Sequence, residues 1–331
     1  MATDRTALVL GATGGIGGEV ARLLVARGWK VRALHRDPER LAAPLKGSGL
    51  IWERGDAMVA SDVASAADNA SVIIHAVNPP GYRNWGQLVL PMLDNTIAAA
   101  RVSRARIVLP GTIYNYGPDT FPDVHETSPQ SPVTAKGRIR AEMERRMHAA
   151  AMAGARVLIV RAGDFFGPRA GNNWFSQGLV KPGKPVTVIT YPGRGGVGHQ
   201  WAYLPDVAET MALLLETSKM LDDFAVFQME GQWDDDGTRM IEAIRRAAGN
   251  PNIKVRKMPW KMMQVLMPFV PLFRELVEMR YLWNVPIRMD NKRLKAVLGA
   301  EPHTPLDIAV RNTLIGLGCL AGEPSVIARG A

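Results

Sequence analysis

Three glycines at three-residue intervals, Gly11, Gly14 and Gly17, stand between an apolar run at 7–10 and an amphipathic stretch at 15–27, and no other feature constrains this chain as much. The stretch places Ile16, Val20, Leu23 and Leu24 on one face, the spacing of a helix that buries one side against a sheet. A tight strand-to-helix turn of this kind leaves backbone amides exposed at a helix N-terminus, where no side chain blocks a pyrophosphate. Gly17 lets the helix approach the strand closely. The turn predicts a dinucleotide site built from Gly11, Thr13, Gly14, Gly15, Ile16 and Gly17.

The alternation continues. Apolar runs at 30–34, 50–53, 72–76, 107–109 and 156–160 are separated by helical patterns, including 85–101 and 134–153, which is the signature of a parallel sheet wound with helices. Between Arg161 and Pro205 the pattern loosens into Gly- and Pro-rich sequence, typical of loops around a site or seam. A helix at 206–218 and a strand at 224–229 then read as a return to the first sheet, and 234–249, 258–279 and 292–320 read as further helix. The expected fold is therefore α/β: a Rossmann-type doubly wound parallel sheet with a smaller, mostly helical substrate lobe on its C-terminal side. Residues 1–164 and 206–229 are assigned to the dinucleotide-binding domain, 165–205 and 230–320 to the lobe, and 321–331 to a tail.

Composition excludes other classes. The 331 residues are 47% hydrophobic and 21% charged, which fits neither a disordered chain nor a disulfide-stapled miniprotein. A net charge of +9 favours anionic partners without selecting one. The single cysteine, Cys319, makes no intrachain disulfide and suits a reducing cytoplasm; the N-terminus reaches its first strand too soon for a secretion signal. Six histidines without metal-ligand spacing predict no metal site, and Asp234, Asp235 and Asp236 read as a helix cap. Arg138, Arg140, Arg145 and Arg146 share their helix with Glu142 and Glu144, a solvated face rather than a nucleic-acid surface. The methionine-rich stretch 258–279 is interrupted by Lys261, Pro268, Pro271, Arg274 and Glu275, so no integral membrane segment is expected. It reads first as core or subunit packing, with a substrate lid or a membrane-surface helix as the alternatives.

At the end of the second strand, where an NAD site carries a carboxylate for the ribose, this chain has His35 followed by Arg36 and Asp37. The Arg36 guanidinium can pair with a 2′-phosphate, which favours NADP over NAD; the alternative leaves Asp37 on the ribose. Asp56, after Gly55, is a candidate for the adenine amino group or a helix cap.

These motifs, with Val72 to Ala76, Gly111-Thr112, Tyr116-Gly117-Pro118, Lys136-Gly137, Val160 to Gly163, Phe166-Gly167-Pro168, Tyr203 to Ala208 and the late Asp290 to Arg293, make the chain resemble the extended short-chain dehydrogenase/reductases, the group of NAD-dependent epimerases and dehydratases. The resemblance covers nearly the whole chain. It implies cofactor contacts at Ala76, Val77 and Gly163, a Lys136 that holds the nicotinamide ribose, a Thr112 near the substrate oxygen, and a homodimer through paired helices. The family also places a Tyr four residues before the Lys, where it exchanges a proton with substrate. Here that position is Pro132. Tyr114, Tyr116, Thr134 and Lys136 itself are the candidate replacements. Asn78, Phe166, Trp174, His199 and Trp201, with Asn172 and Asn173, are candidates for the substrate side. The resulting expectation is an NADP-dependent oxidoreductase acting on a small carbonyl or hydroxyl compound; a nucleotide-sugar epimerase or dehydratase and a non-catalytic NADP(H)-binding sensor or assembly factor are the alternatives.

Overall fold

The structure, a computed structural model, describes residues 5–41, 43–79, 84–170 and 173–323. Its centre is a parallel sheet of seven strands. Five are β1 (Thr6–Leu10), β2 (Lys30–His35), β3 (Ile51–Arg54), β4 (Val72–His75) and β5 (Arg106–Thr112). The strands Arg156–Ala162 and Phe224–Gln228 complete it, in the order Phe224–Gln228, Arg156–Ala162, β5, β4, β1, β2, β3. The late strand returns to the first sheet as the alternation suggests.

Alternation along β1 explains why helices cover both faces. Ala7 and Val9 join the apolar cluster that includes Val20 and Leu24 of helix α1 (Gly15–Ala26) and Val207 and Met211 of helix Leu204–Glu216. Leu8 and Leu10 join the opposite cluster, with Val89 and Leu93 of helix Trp85–Ser103 and Met143 and Met147 of helix Ala135–Met152. Buried on both sides, the central strands need continuous apolar runs.

Past Ala162 the chain leaves this sheet. Asp164–Phe166 pairs in parallel with His199–Tyr203, which pairs antiparallel with Gln232–Asp234. Around this small sheet lies a third cluster, rich in aromatics: Phe166, Phe175, Trp201, Tyr203 and Trp283 among them. Three expected helices are shorter than their patterns. The 234–249 pattern begins with a strand, and the helix is Arg239–Ala247; Asp234 Oδ1 accepts the N–H of Gly237 and Arg239, and Oδ2 that of Met240, so the acidic run does cap it. The 258–279 pattern breaks at Pro268 into Trp260–Leu266 and Pro271–Glu278, and 292–320 divides at Gly299 into Lys292–Leu298 and Leu306–Gly316. The strand Lys254–Lys257, paired with Val188–Tyr191, has no apolar alternation to betray it: all four residues are exposed. Asn172 and residues 324–331 of the expected tail lie outside the described residues.

Candidate active site

A cavity of about 830 Å³ runs along the carboxyl ends of the strands. At one end is the glycine turn. Gly11 has φ +92°, and a Cβ there would stand 2.5 Å from the Ala76 carbonyl oxygen. A Cβ on Gly17 would stand 2.3 Å from the Gly11 oxygen, so Gly17 seats α1 on the turn and is not itself on the wall. Gly14 is the N-cap of α1 and offers no side-chain cap. Thr13, Gly14, Gly15 and Ile16 line the cavity, opposite Ala76, Val77 and Asn78. Helix-start amides with a partial positive charge and no covering side chain fit a diphosphate.

Beyond the turn, His35, Arg36 and Asp56 line the wall. Arg36 is exposed, whereas Asp37 is not a wall residue: its carboxylate meets Arg40 Nε at 2.9 Å and Arg54 at 3.8 Å. Asp56 Oδ1 accepts the Met58 N–H at 2.9 Å, so this carboxylate both braces its own turn and faces the cavity.

At the other end stand Thr112 and Tyr114. Thr112 Oγ1 accepts the Tyr114 N–H at 3.2 Å, fixing the short turn after β5. Gly137 lets helix Ala135–Met152 abut this turn, since a Cβ there would reach 2.3 Å from the Tyr114 oxygen. The Tyr114 hydroxyl donates to Asp164 Oδ1 at 3.4 Å, and Asp164 Oδ2 lies 2.9 Å from His199 Nε2. Asp164 is buried yet on the wall; His199 is stacked on Trp283 with ring centres 3.6 Å apart. The cavity thus meets a hydrogen-bonded series of phenol, carboxylate and imidazole.

Several expected site residues lie elsewhere. Tyr116 is wholly buried, its hydroxyl held by Arg161 at 2.5 Å and Gln228 at 3.2 Å, and burial pushes the phenol up to about 12. Thr134 caps its helix by accepting the Gly137 N–H. Lys136 is buried and off the wall. Its Nζ sits between Glu275 and Glu278 of helix Pro271–Glu278, 2.7 Å from Glu278 Oε2, and it also donates to the Glu275 carbonyl. Its ammonium is thus committed to carboxylates and not to the cavity. Gly163 marks a close crossing, since a Cβ would stand 2.3 Å from the Gln200 oxygen. Phe166 and Trp201 are fully buried in the aromatic cluster, and His199 reaches the cavity only through Asp164. Asn78, Asn173 and Trp174 do line it.

Several wall residues escaped the sequence, three of them charged: Arg140, Asp164 and Glu275. Arg140 lies one turn after Lys136 on the same helical face and carries its guanidinium over the Trp85 ring at 5.1 Å. One turn further along the helix, Glu144 grips the buried Arg161 through two hydrogen bonds of 2.5 and 3.1 Å. The second wall residue, Asp164, had a signal in being a lone acid within an apolar run, and the third, Glu275, in being the first acid after Glu242. His75 ends β4 on the wall. The Thr96 hydroxyl donates to the Met92 oxygen, so its oxygen accepts from His75 Nδ1 at 2.8 Å, and Nε2 keeps a buried lone pair with no partner among the described residues.

A doubly wound parallel sheet, a glycine turn over its first strand and a cavity spanning the strand ends define an extended short-chain dehydrogenase/reductase. More narrowly, the chain belongs to the NAD dependent epimerase/dehydratase family, whose sequence profile matches residues 7–229. Protein YeeZ of Escherichia coli is 28% identical over 213 residues, 62% of this chain and 72% of its own, and protein y4nL of Sinorhizobium fredii is 22% identical over 331 residues, 90% and 91% of the two chains. Among solved structures, UDP-glucuronic acid 4-epimerase from Bacillus cereus, in complex with NAD, superposes with a TM-score of 0.73 at 16% identity over 94% of this chain and 98% of its own. MoeE5, in complex with UDP-glucose and NAD, gives 0.70 at 19% identity, over 94% and 98%. At such identity the likeness is one of fold.

Proposed function

We propose that this protein is an NADP-dependent oxidoreductase that interconverts a small carbonyl compound and its alcohol. The observation that carries this is the single cavity joining the glycine turn to the Tyr114, Asp164 and His199 series. Gly14, Gly15 and Ile16 hold the diphosphate, Asp56 the adenine and Arg36 the 2′-phosphate. Asp37, drawn away by Arg40 and Arg54, leaves the ribose to His35 and Arg36, which supports NADP over NAD. Arg140, rather than Lys136, is the cation available to the nicotinamide half.

When bound, the dinucleotide supplies hydride exchange. Thr112 and Tyr114 orient the substrate oxygen. Tyr114 passes its proton to that oxygen during reduction, Asp164, hydrogen-bonded to both Tyr114 and His199, holds the phenol in place, and a proton from solvent restores it. In oxidation the same protons move in reverse. A nucleotide-sugar substrate is less well supported, because a second diphosphate needs cations. Among the described wall residues at the substrate end stand Asp164, Asn173, Trp174, Gln177, Glu275 and Leu276, without Lys or Arg.

Titration of nucleotide fluorescence with NADPH and NADH, in wild type and Arg36→Ala, tests the cofactor. Loss of a charged hydrogen bond predicts roughly 10- to 100-fold weaker NADPH binding in the variant and little change for NADH. Equal affinity of the wild type for both cofactors would return Asp37 to the ribose. A carbonyl panel with Tyr114→Phe tests the chemistry. Turnover by wild type and its loss in the variant are expected, whereas NADPH binding without turnover on any carbonyl would make the protein a nucleotide sensor.

A further inference from the structure

Helices Trp260–Leu266 and Pro271–Glu278 pack on one another at the edge of the aromatic cluster. Their inner side is well used: Met263 is buried, Leu276 lines the cavity, and Glu275 and Glu278 turn inward to Lys136. Their outer side is apolar and bare. Met262, Val265 and Leu266 share one face of the first helix at i, i+3 and i+4, Phe269 stands in the turn just after it, and Val265 is 72% and Phe269 81% exposed. Met267 and Leu272 extend the patch. A packed helix buries such a stripe and a solvated one replaces it with charge; this one does neither.

The charge around it has one sign. From 254 to 274 the chain carries Lys254, Arg256, Lys257, Lys261 and Arg274 and no Asp or Glu. All five cations are exposed. The nearest acids in sequence, Glu275 and Glu278, both bind the buried Lys136; Glu275 Oε1 also lies 3.5 Å from Arg274 Nε and offsets that one cation in part, leaving Lys254, Arg256, Lys257 and Lys261 with no acid beside them in the sequence.

We infer that this helix pair docks on the surface of an anionic bilayer. Met262, Val265, Leu266 and Phe269 enter the boundary between headgroups and acyl chains, while the five cations face acidic headgroups. The attachment is interfacial, since no described helix is long and apolar enough to cross a membrane. Charge also selects this occupant over a second copy of the chain. A twofold contact through the patch would set its five cations against the same five, whereas an anionic surface matches them.

Co-sedimentation of the full chain with phosphatidylcholine vesicles, with and without phosphatidylglycerol, at low and high salt, tests the inference. Binding only to the anionic vesicles and its loss at high salt are expected. The double variant Val265→Asp, Phe269→Asp should bind at least about tenfold more weakly with an unchanged melting curve, and Lys254→Gln or Lys257→Gln about fivefold each. Met220→Asp, at an exposed position outside the pair, should bind as wild type. Equal sedimentation with both vesicle types, or undiminished binding of the double variant, would overturn the inference. So would a wild-type dimer that the double variant dissociates without any vesicle binding, which would assign the patch to a second copy.

Discussion

Lowering the pH from 7 to 5 should cost this protein about 2 kcal/mol of stability through His75 alone. Burial first, and the nearby Arg140 charge second, push this histidine from its ordinary 6.5 down to about 3. The folded value lies below the unfolded one, so as pH falls through about 6.5 the unfolded chain takes up a proton that the folded chain refuses. The stabilisation is fully present above that pH and drains away toward about 3. Urea unfolding at the two pH values, in wild type and His75→Leu, reads the effect as a difference of differences, free of the other titrating groups. The variant, losing the hydrogen bond to Thr96, should be less stable at pH 7 but lose about 2 kcal/mol less than wild type between pH 7 and pH 5. Equal losses in the two proteins would refute the reasoning, because they would mean that His75 titrates alike in the folded and unfolded chain. With Nδ1–H given to Thr96, His75 keeps Nε2 as a buried acceptor behind the cavity wall.

Lys136→Met should destabilise the fold by about 3 kcal/mol in urea, since it removes the buried cation between Glu275 and Glu278 and leaves Glu275 only its longer contact to Arg274, and an unchanged midpoint would refute the ion-pair role. Gly17→Ala places a Cβ 2.3 Å from the Gly11 oxygen, so the turn must shift; nucleotide fluorescence should show binding weakened more than about tenfold, and wild-type affinity would contradict the cradle geometry. Asp164→Asn should lower kcat by about 100-fold or more while leaving the NADPH dissociation constant unchanged, and equal loss of both would make Asp164 a binding residue instead.

Local pattern carried much of this protein. The glycine turn depends on contacts within a few residues, as between Gly11 and Gly17, and the alternation of strands and helices follows from periods of two and 3.6 that any segment carries in itself. That is why one end of the cavity wall, from Thr13 to Ile16 and at His35, Arg36 and Asp56, was legible along with the sheet. Two features that break local rules were harder. Lys254–Lys257 became a strand through a partner 66 residues away, at Val188–Tyr191, and Pro268 split a pattern that reads as one helix.

The opposite end of the cavity was decided by tertiary structure. The family resemblance made Lys136 the expected cofactor residue, but which side chain on a helical face reaches a cavity depends on where the helix starts and how far it slides along the sheet. Thr134 caps it at Ala135, Gly137 presses it to Tyr114, and the wall position falls to Arg140 while Lys136 meets two carboxylates about 140 residues later in the chain. Tyr114 and Tyr116, two residues apart, divide in the same way between wall and core. Asp164 and His199 come together because Asp164–Phe166 pairs with His199–Tyr203, a register set by burial of aromatic side chains from several distant segments. Sequence determined the sheet and its glycine turn, whose instructions are local; the packing of remote segments chose the groups that face the other end of the cavity.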